Sequence, residues 1–206
     1  MLINLKDYER IYKTINAIIL NEGADPKISC TFFAFYGAKI LNDHYKLKAT
    51  AVSGSCGYHL GSDNVLYFGE ISGDQIVSNE NAFHCWVLAE GWLIDFMAPV
   101  FTDIMKGMKP GTTIPPKMMQ KPIENMAVST SDLRKEGDFH FQINRDMIED
   151  RVKYLSSSLA YSDLAHICSK WYKKPPKKMI KEIPISDGKG MQKMVSPSGK
   201  SLIGLW

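Results

Sequence analysis

Three residues in the first half of the chain carry the side chains of a nucleophilic catalytic triad: Cys30, His84 and Asp95. A cysteine thiol attacks a carbonyl carbon once a base has taken its proton. Imidazole is such a base, and a carboxylate holds the imidazole in one tautomer. Each of these residue types is common, so the elements that carry them decide whether they can act together.

Residues 81–99 (NAFHCWVLAEGWLIDFMAP) predict two short antiparallel strands joined at Glu90-Gly91. Side chains alternate faces along a strand, so His84, Trp86 and Asp95 share one face. His84 and Asp95 are then diagonal neighbours, roughly 7–8 Å apart at Cα, which is within reach of their side chains. A loop of three or five residues would reverse this parity. The two-residue loop predicts these opposite pairs: Ala89 with Trp92, Val87 with Ile94, Trp86 with Asp95, and His84 with Met97.

Cys30 opens a segment, residues 30–43, that is apolar on nearly every side and therefore predicts a buried helix. Two helix starts fit: Asp25-Pro26 as N-cap and first residue, or Ser29 as N-cap with Cys30 as first residue. In the second case the free N–H groups and the helix dipole favour the thiolate. The alternative is that Cys30 is a small apolar core residue.

The remaining pattern predicts an α+β fold with N-terminal helices packed on an antiparallel sheet. The predicted elements are an amphipathic helix at residues 4–21, strands at 46–54, 64–71 and 139–144, and a helical segment at 145–172. Residues 106–128 hold four prolines and predict a long loop, which either covers a substrate cleft or is plain surface.

Composition predicts one folded domain, residues 1–172, followed by a basic C-terminal extension, residues 173–206. The 206 residues are 45% apolar and 11% aromatic, enough for one substantial core. No run of 18 apolar residues occurs, so a membrane span is not expected. Four cysteines without a CxxC pair predict a reduced, cytoplasmic setting.

The positive charge is concentrated at the C-terminal end. Residues 170–206 hold nine lysines against Glu182 and Asp187, a net charge of +7, so residues 1–169 carry −4 of the overall +3. The first interpretation is a solvated tail; the alternatives are contact with a polyanion or with a second subunit, as in a homodimer. The final SLIGLW is apolar, and we expect it to dock on the rest of the chain.

Other residue clusters predict no metal or cofactor site. Cys56 and His59 supply two ligands, whereas a zinc site needs three or four. His166 and Cys168 point in different directions on a helix, and His44 and His140 have no partner by spacing. A phosphate-binding glycine loop and an aromatic RNA-binding motif are both missing from the sequence, so nucleic acid is not expected as a partner.

The stretches ISCTFFAFYGAKIL, KATAVSG and FHCWVLAEGWLIDF resemble the core of the transglutaminase-like branch of the papain-like cysteine-peptidase fold. The matching elements are a cysteine at a helix start, a Val-Ser-Gly strand, His-x-Trp, Gly-Trp and a strand aspartate, all within residues 25–100. The chain also resembles an uncharacterised bacterial family assigned to that fold. It departs from the pattern at Ile28-Ser29, where Gly-x is usual. It also lacks the Arg-Gly-Gly-x-Cys of arylamine N-acetyltransferases, which disfavours acetyl-CoA chemistry.

The resemblance implies a thiol hydrolase or acyltransferase that needs no cofactor. Cys30 would be the nucleophile, His84 the base and later the acid, and Asp95 the group that fixes the imidazole tautomer. The substrate would be a peptide, isopeptide or small amide, attacked to give an acyl-thioester. The Cys30 N–H and a second donor, Trp86 or Asn21, would form the oxyanion hole. The rival hypothesis is an inactive binding module of the same fold that uses its basic C-terminal region for a partner.

Overall fold

Helices packed against a curled antiparallel sheet form the fold, as the sequence predicts at the α+β level. The computed structural model describes residues 1–73, 75–173, 181–186 and 190–206. The helices in these ranges are α1 (Leu5–Asn21), α2 (Cys30–Ile40), α3 (Phe101–Met108), α4 (Arg145–Ser156) and α5 (Leu159–Trp171). None of them is both long enough and apolar enough to cross a membrane.

Strands in the described ranges form one large sheet and two small hairpins. The sheet contains β1 (Ala49–His59), β2 (Val65–Phe68), β5 (His84–Ala89), β6 (Trp92–Asp95), β7 (Met119–Pro122) and β8 (Phe139–Ile143). The hairpins pair β3 (Glu70–Ser72) with β4 (Gln75–Val77), and β9 (Ile183–Ser186) with β10 (Gln192–Val195).

Strand β1 organises the sheet because three strands pair with it. Its first part, 49–54, pairs with β5, and its last part, 56–59, pairs with β2. Residues 54–58 pair with β8. A strand has only two edges, so β8 occupies one edge, and β2 and β5 follow each other along the other. The sheet therefore opens between the end of β2 and the start of β5, which is where His84 lies.

The predicted turn between β5 and β6 is confirmed. Ala89 pairs with Trp92 and Val87 with Ile94, the register of a two-residue loop. Both loop residues have a positive φ, 48° at Glu90 and 79° at Gly91, as a type I′ turn requires. His84, Trp86 and Asp95 consequently share a face of the sheet.

Helix α2 is buried between α1 and the opposite face of the sheet, against β5 and β1. Phe96 lies so close to Gly37 that a Cβ there would stand 2.3 Å from its ring, so this crossing requires glycine. Both predicted helix starts are used in succession. Asp25 caps a single 3-10 turn, Pro26–Ile28, and α2 then begins at Cys30.

Two sequence predictions are wrong in part. Residues 106–128 are not one long loop, because α3 continues to Met108 and β7 pairs with β6 at the edge of the sheet. Pro122, which ends β7, conceals this strand in the sequence. The predicted helical segment 145–172 is two helices, α4 and α5, broken at residues 157–158.

The C-terminal residues lie against β7 and α1. Trp206 is buried, its indole N–H donates to the Lys117 carbonyl, and its backbone N–H donates to the Met118 carbonyl. Lys200 forms an ion pair with Asp103, 2.6 Å between Nζ and Oδ1. Contact of this extension with a second subunit stays a prediction.

Candidate active site

The side chains of His84 and Asp95 form a buried hydrogen-bonded pair. His84 Nε2 lies 2.7 Å from Asp95 Oδ2, and both side chains have zero exposure. A carboxylate only accepts, so Nε2 carries the donated proton. The Tyr58 hydroxyl donates to the same oxygen at 3.0 Å, and the Met97 N–H donates to Oδ1 at 3.0 Å. Burial and the Asp95 charge raise the pKa of Tyr58, so its hydroxyl remains a donor.

Aromatic rings hold the plane of the His84 imidazole. Phe68 stacks on it with ring centres 4.1 Å apart and an interplanar angle of 17°. Tyr58 meets it edge-on at 82°, and Phe101 lies 6.0 Å away. The second ring nitrogen, Nδ1, is buried and has no hydrogen-bond partner among the described residues. It is therefore available to take a proton.

Cys30 is the first residue of α2, and no side chain caps this helix end. The Ser29 hydroxyl donates to the Asp25 carbonyl at 2.7 Å instead. The N–H groups of Phe32 and Phe33 both bond the Ser29 carbonyl. The N–H groups of Cys30 and Thr31 are thus left pointing out of the helix end, where they favour a negative charge.

The Cys30 thiol interacts with a second thiol, that of Cys85. Cys85 and burial raise the pKa of Cys30 well above its ordinary value. Cys30, Ser53 and Thr31 lower the pKa of Cys85 to about 7. The pair therefore loses one proton readily and holds the other tightly. The sequence predicts that the start of α2 favours the Cys30 thiolate; in the structure Cys85 and burial oppose this effect and raise the pKa of Cys30.

Cys30 and His84 line one cleft of about 320 Å³. Its wall is part polar and part apolar; among the described residues that line it there are one cation and one side-chain amide, and no carboxylate. These residues are Lys27, Ile28, Cys30, Tyr67, Phe68, Gly69, Asn81, Ala82, Phe83, His84 and Met97. Ile28 is 83% exposed at the rim. Such a wall can contact both the polar and the apolar parts of a small ligand bound beside the thiol.

The two residues predicted as second oxyanion donors do not line this cleft. The Trp86 side chain is fully buried against Phe141, and its indole N–H has no partner within the described ranges. The Asn21 amide donates to the Ala17 carbonyl of its own helix at 3.0 Å.

The other histidines are used in local hydrogen bonds. His59 Nδ1 accepts from the Gly61 N–H, and His140 Nδ1 bonds the Ala127 carbonyl. His44 bonds Ser169, and His166 bonds the Ser162 carbonyl. Across the part of the chain that the structure describes, no group of three or more His, Cys, Asp or Glu side chains is placed to hold a metal ion.

Sequence reasoning missed two polar neighbours of the site, Tyr58 and Cys85. The strand was predicted to end at Gly54, whereas β1 continues to His59 through a glycine- and serine-rich stretch. Alternation carried four residues further would have placed Tyr58 on the His84 face. Alternation along β5 puts Cys85 on the face opposite His84, but nothing in the sequence places Cys30 near it.

Comparisons with known proteins match nearly the whole chain. A family model described as "Protein of unknown function (DUF2026)" matches residues 4–206. The chain belongs to the DUF2026 family. The match covers the C-terminal extension as well as the residues that line the cleft.

One solved structure, described as "The crystal structure of genomics APC5867", is similar to this DUF2026 chain over its full length. The two are 34% identical with a TM-score of 0.89, and the alignment covers 100% of this chain and 98% of that one. The search of curated proteins returned no match. The function of this DUF2026 chain therefore has to be argued from its own site.

Proposed function

We propose that this protein is a thiol-dependent hydrolase or acyltransferase that acts on an amide carbonyl through Cys30, His84 and Asp95. One observation carries the proposal: the free Nδ1 of a buried His84–Asp95 pair and the Cys30 thiol belong to the same cleft. A cysteine at a helix start, set against neighbouring antiparallel strands that hold histidine and aspartate, further supports a papain-like core of the transglutaminase-like branch.

The reaction begins when the Cys30 thiol turns from Cys85 and gives its proton to His84 Nδ1. The thiolate sulfur attacks the carbonyl carbon, and the carbonyl electron pair moves to oxygen. When the C–O double bond re-forms, the C–N bond breaks and His84 protonates the leaving amine. Water or an amine then attacks the thioester and gives a proton to His84, the C–S bond breaks, and the proton returns to Cys30.

Asp95 has a positioning role in this scheme. Its bond to Nε2 keeps the proton there, so that Nδ1 presents a lone pair to the thiol. Because Tyr58 and Met97 satisfy the carboxylate from two further directions, the aspartate and the imidazole are fixed together.

The oxyanion that develops needs donors on the cleft wall. The Cys30 N–H is one donor, as the sequence predicts. We assign the second to Asn81, which supplies the side-chain amide among the cleft-lining residues. Asn81 replaces Trp86 and Asn21 in this role, since neither of these lines the cleft.

The small volume, about 320 Å³, favours a small amide or the end of a peptide over a folded protein substrate. The rival hypothesis, an idle module that binds through its basic region, has less support. Of the lysines there, Lys193 and Lys200 are already paired with Glu22 and Asp103. Lys174, Lys177, Lys178 and Lys189 lie outside the described residues.

Alkylation of the native protein by iodoacetamide, read at each cysteine by mass spectrometry over a range of pH, tests the proposal. We expect Cys30 to react, and to react more slowly in His84→Ala. His140→Ala is the matched control, because it removes another buried imidazole that does not line the cleft.

An activated thioester or p-nitrophenyl ester then tests for an acyl-enzyme. We expect intact mass spectrometry to find one acyl group on Cys30 that hydroxylamine removes, and none in Cys30→Ala. A Cys30 that alkylates only after denaturation would contradict the proposal and favour a binding function for the cleft.

A further inference from the structure

Cys85 is a buried thiol that the proposed reaction does not use. It directly follows His84 in β5 and faces α2. Its sulfur lies 3.7 Å from Thr31 Oγ1, and its S–H donates to Ser53 Oγ at 3.4 Å. Thr31 directly follows Cys30, so this contact places the first turn of α2 on Cys85, and Cys30 and Cys85 shift each other's pKa.

Access to these two thiols is unequal. Cys30 retains 6% exposure and lines the cleft, whereas Cys85 has none. A small oxidant that enters the cleft therefore meets Cys30 first, with Cys85 directly behind it. Cys56 and Cys168, also buried at 1% and 0%, do not line this cleft.

We propose that Cys30 and Cys85 are a reversible oxidation site, at which peroxide converts the two thiols into a disulfide. The Cys30 thiolate attacks one oxygen of hydrogen peroxide, the O–O bond breaks, and hydroxide leaves as water after taking a proton. The Cys85 sulfur then attacks the sulfenic sulfur of Cys30, the S–S bond forms, the S–O bond breaks, and a second water leaves. Two thiols lose two electrons, and one peroxide is reduced to two waters.

The surroundings of the pair favour each step. The thiolate is the reactive form, and His84, which lines the same cleft and whose Nδ1 has no hydrogen-bond partner among the described residues, can take the proton of Cys30. The uncapped start of α2 stabilises negative charge at Cys30. A dithiol reductant reverses the bond by exchange. While the disulfide is present, Cys30 cannot attack a carbonyl, so oxidation would reversibly block the proposed reaction at Cys30.

Peptide mapping of the full-length native protein tests this. The protein is treated with hydrogen peroxide, free thiols are blocked with N-ethylmaleimide, and non-reduced peptides are analysed by mass spectrometry. We expect a linked Cys30–Cys85 peptide that disappears on treatment with dithiothreitol. In Cys85→Ser we expect Cys30 to proceed to sulfinic or sulfonic acid, because the resolving thiol is missing. Cys56→Ser is the matched control and should still form the link.

Wild-type protein alone can overturn the proposal. It fails if Cys30 becomes sulfinic acid while Cys85 is recovered as a blocked thiol, or if the link forms only in denatured protein. The readout is a covalent bond and not turnover. A chain without acyl-transfer activity can therefore still give the linked peptide, and an active chain can lack it.

Discussion

Replacing Asp95 by asparagine separates the structural role of the carboxylate from its effect on His84. The carboxylate accepts three hydrogen bonds, from His84, Tyr58 and Met97, in a site with no exposure. Asparagine has the same shape but one acceptor oxygen. If that oxygen keeps the Met97 N–H, the new NH2 group faces His84 Nε2 and the Tyr58 hydroxyl.

Tyr58 and His84 can both rearrange their hydrogen bonds to the asparagine, but the new bonds stabilise the fold less than the bonds to the carboxylate. The Tyr58 hydroxyl can rotate to accept, and His84 can move its proton to Nδ1 so that Nε2 accepts. Bonds to a charged group contribute about 1.5–3 kcal/mol and neutral ones about 0.5–1.5 kcal/mol. We therefore expect a loss of about 1–3 kcal/mol in the free energy of unfolding. At about 2–4 °C per kcal/mol for a chain of this size, Tm should fall by about 2–12 °C.

The effect on reactivity should be larger than the effect on stability. With its proton on Nδ1, His84 can no longer accept the proton of Cys30, so acylation should slow by about 10²–10⁴-fold, the range of general-base catalysis. Thermal unfolding and the rate of Cys30 acylation are measured on the same preparation. Asp103→Asn, at an exposed ion pair with Lys200, is the control. An Asp95→Asn protein that is acylated at the wild-type rate would refute the role given to Asp95.

Four further predictions follow from single contacts. Tyr58→Phe removes one donor to Asp95 and should lower the free energy of unfolding by about 1.5–3 kcal/mol in urea titrations. Gly54→Ala would place a Cβ 2.0 Å from the Gln142 carbonyl oxygen, so soluble yield and the urea midpoint should fall sharply, whereas Gly107→Ala, with open space around it, should not. Trp206→Ala should lower stability by up to about 3–5 kcal/mol and speed proteolysis near the C-terminal end. Cys85 and burial raise the pKa of Cys30, so the midpoint of Cys30 alkylation should lie above the ordinary pKa of a thiol. Cys85→Ala removes the largest cause, so the midpoint should move to lower pH, and an unchanged midpoint would show that the two thiols titrate independently.

Local pairing is what the sequence could predict. His84 and Asp95 are 11 residues apart on two strands joined by a two-residue turn, so alternation alone fixes their shared face. The helix start at Cys30 is likewise visible in the apolar run that follows it. Both predictions need only a short stretch of chain.

The sequence could not predict contacts between segments that are distant along the chain. The Cys30–Cys85 pair depends on where α2 crosses β5, which crossing geometry sets and no periodicity records. The stacking of Phe68 on His84 depends on β2 and β5 sharing one edge of β1. Strand β7 was read as loop because Pro122 and its mixed neighbours lack alternation, although its pairing with β6 holds it in the sheet.

Because β2 and β5 share one edge of β1, the candidate site is built from two separate parts of the chain: the sheet holds His84 and Asp95, and the connection between β2 and β5 supplies much of the cleft wall. In the described part of the connection from β2 to β5, residues 69–73 and 75–83, β3 and β4 pair with each other rather than with β1, yet Gly69, Asn81, Ala82 and Phe83 form much of the cleft wall. His84 and Asp95 are instead fixed by β1, β5 and β6. Insertions or exchanges in this connection can therefore reshape what the cleft accepts while the imidazole–carboxylate pair stays in place. We expect substitutions in this segment to change which ligands the cleft accepts without disrupting the His84–Asp95 hydrogen bond.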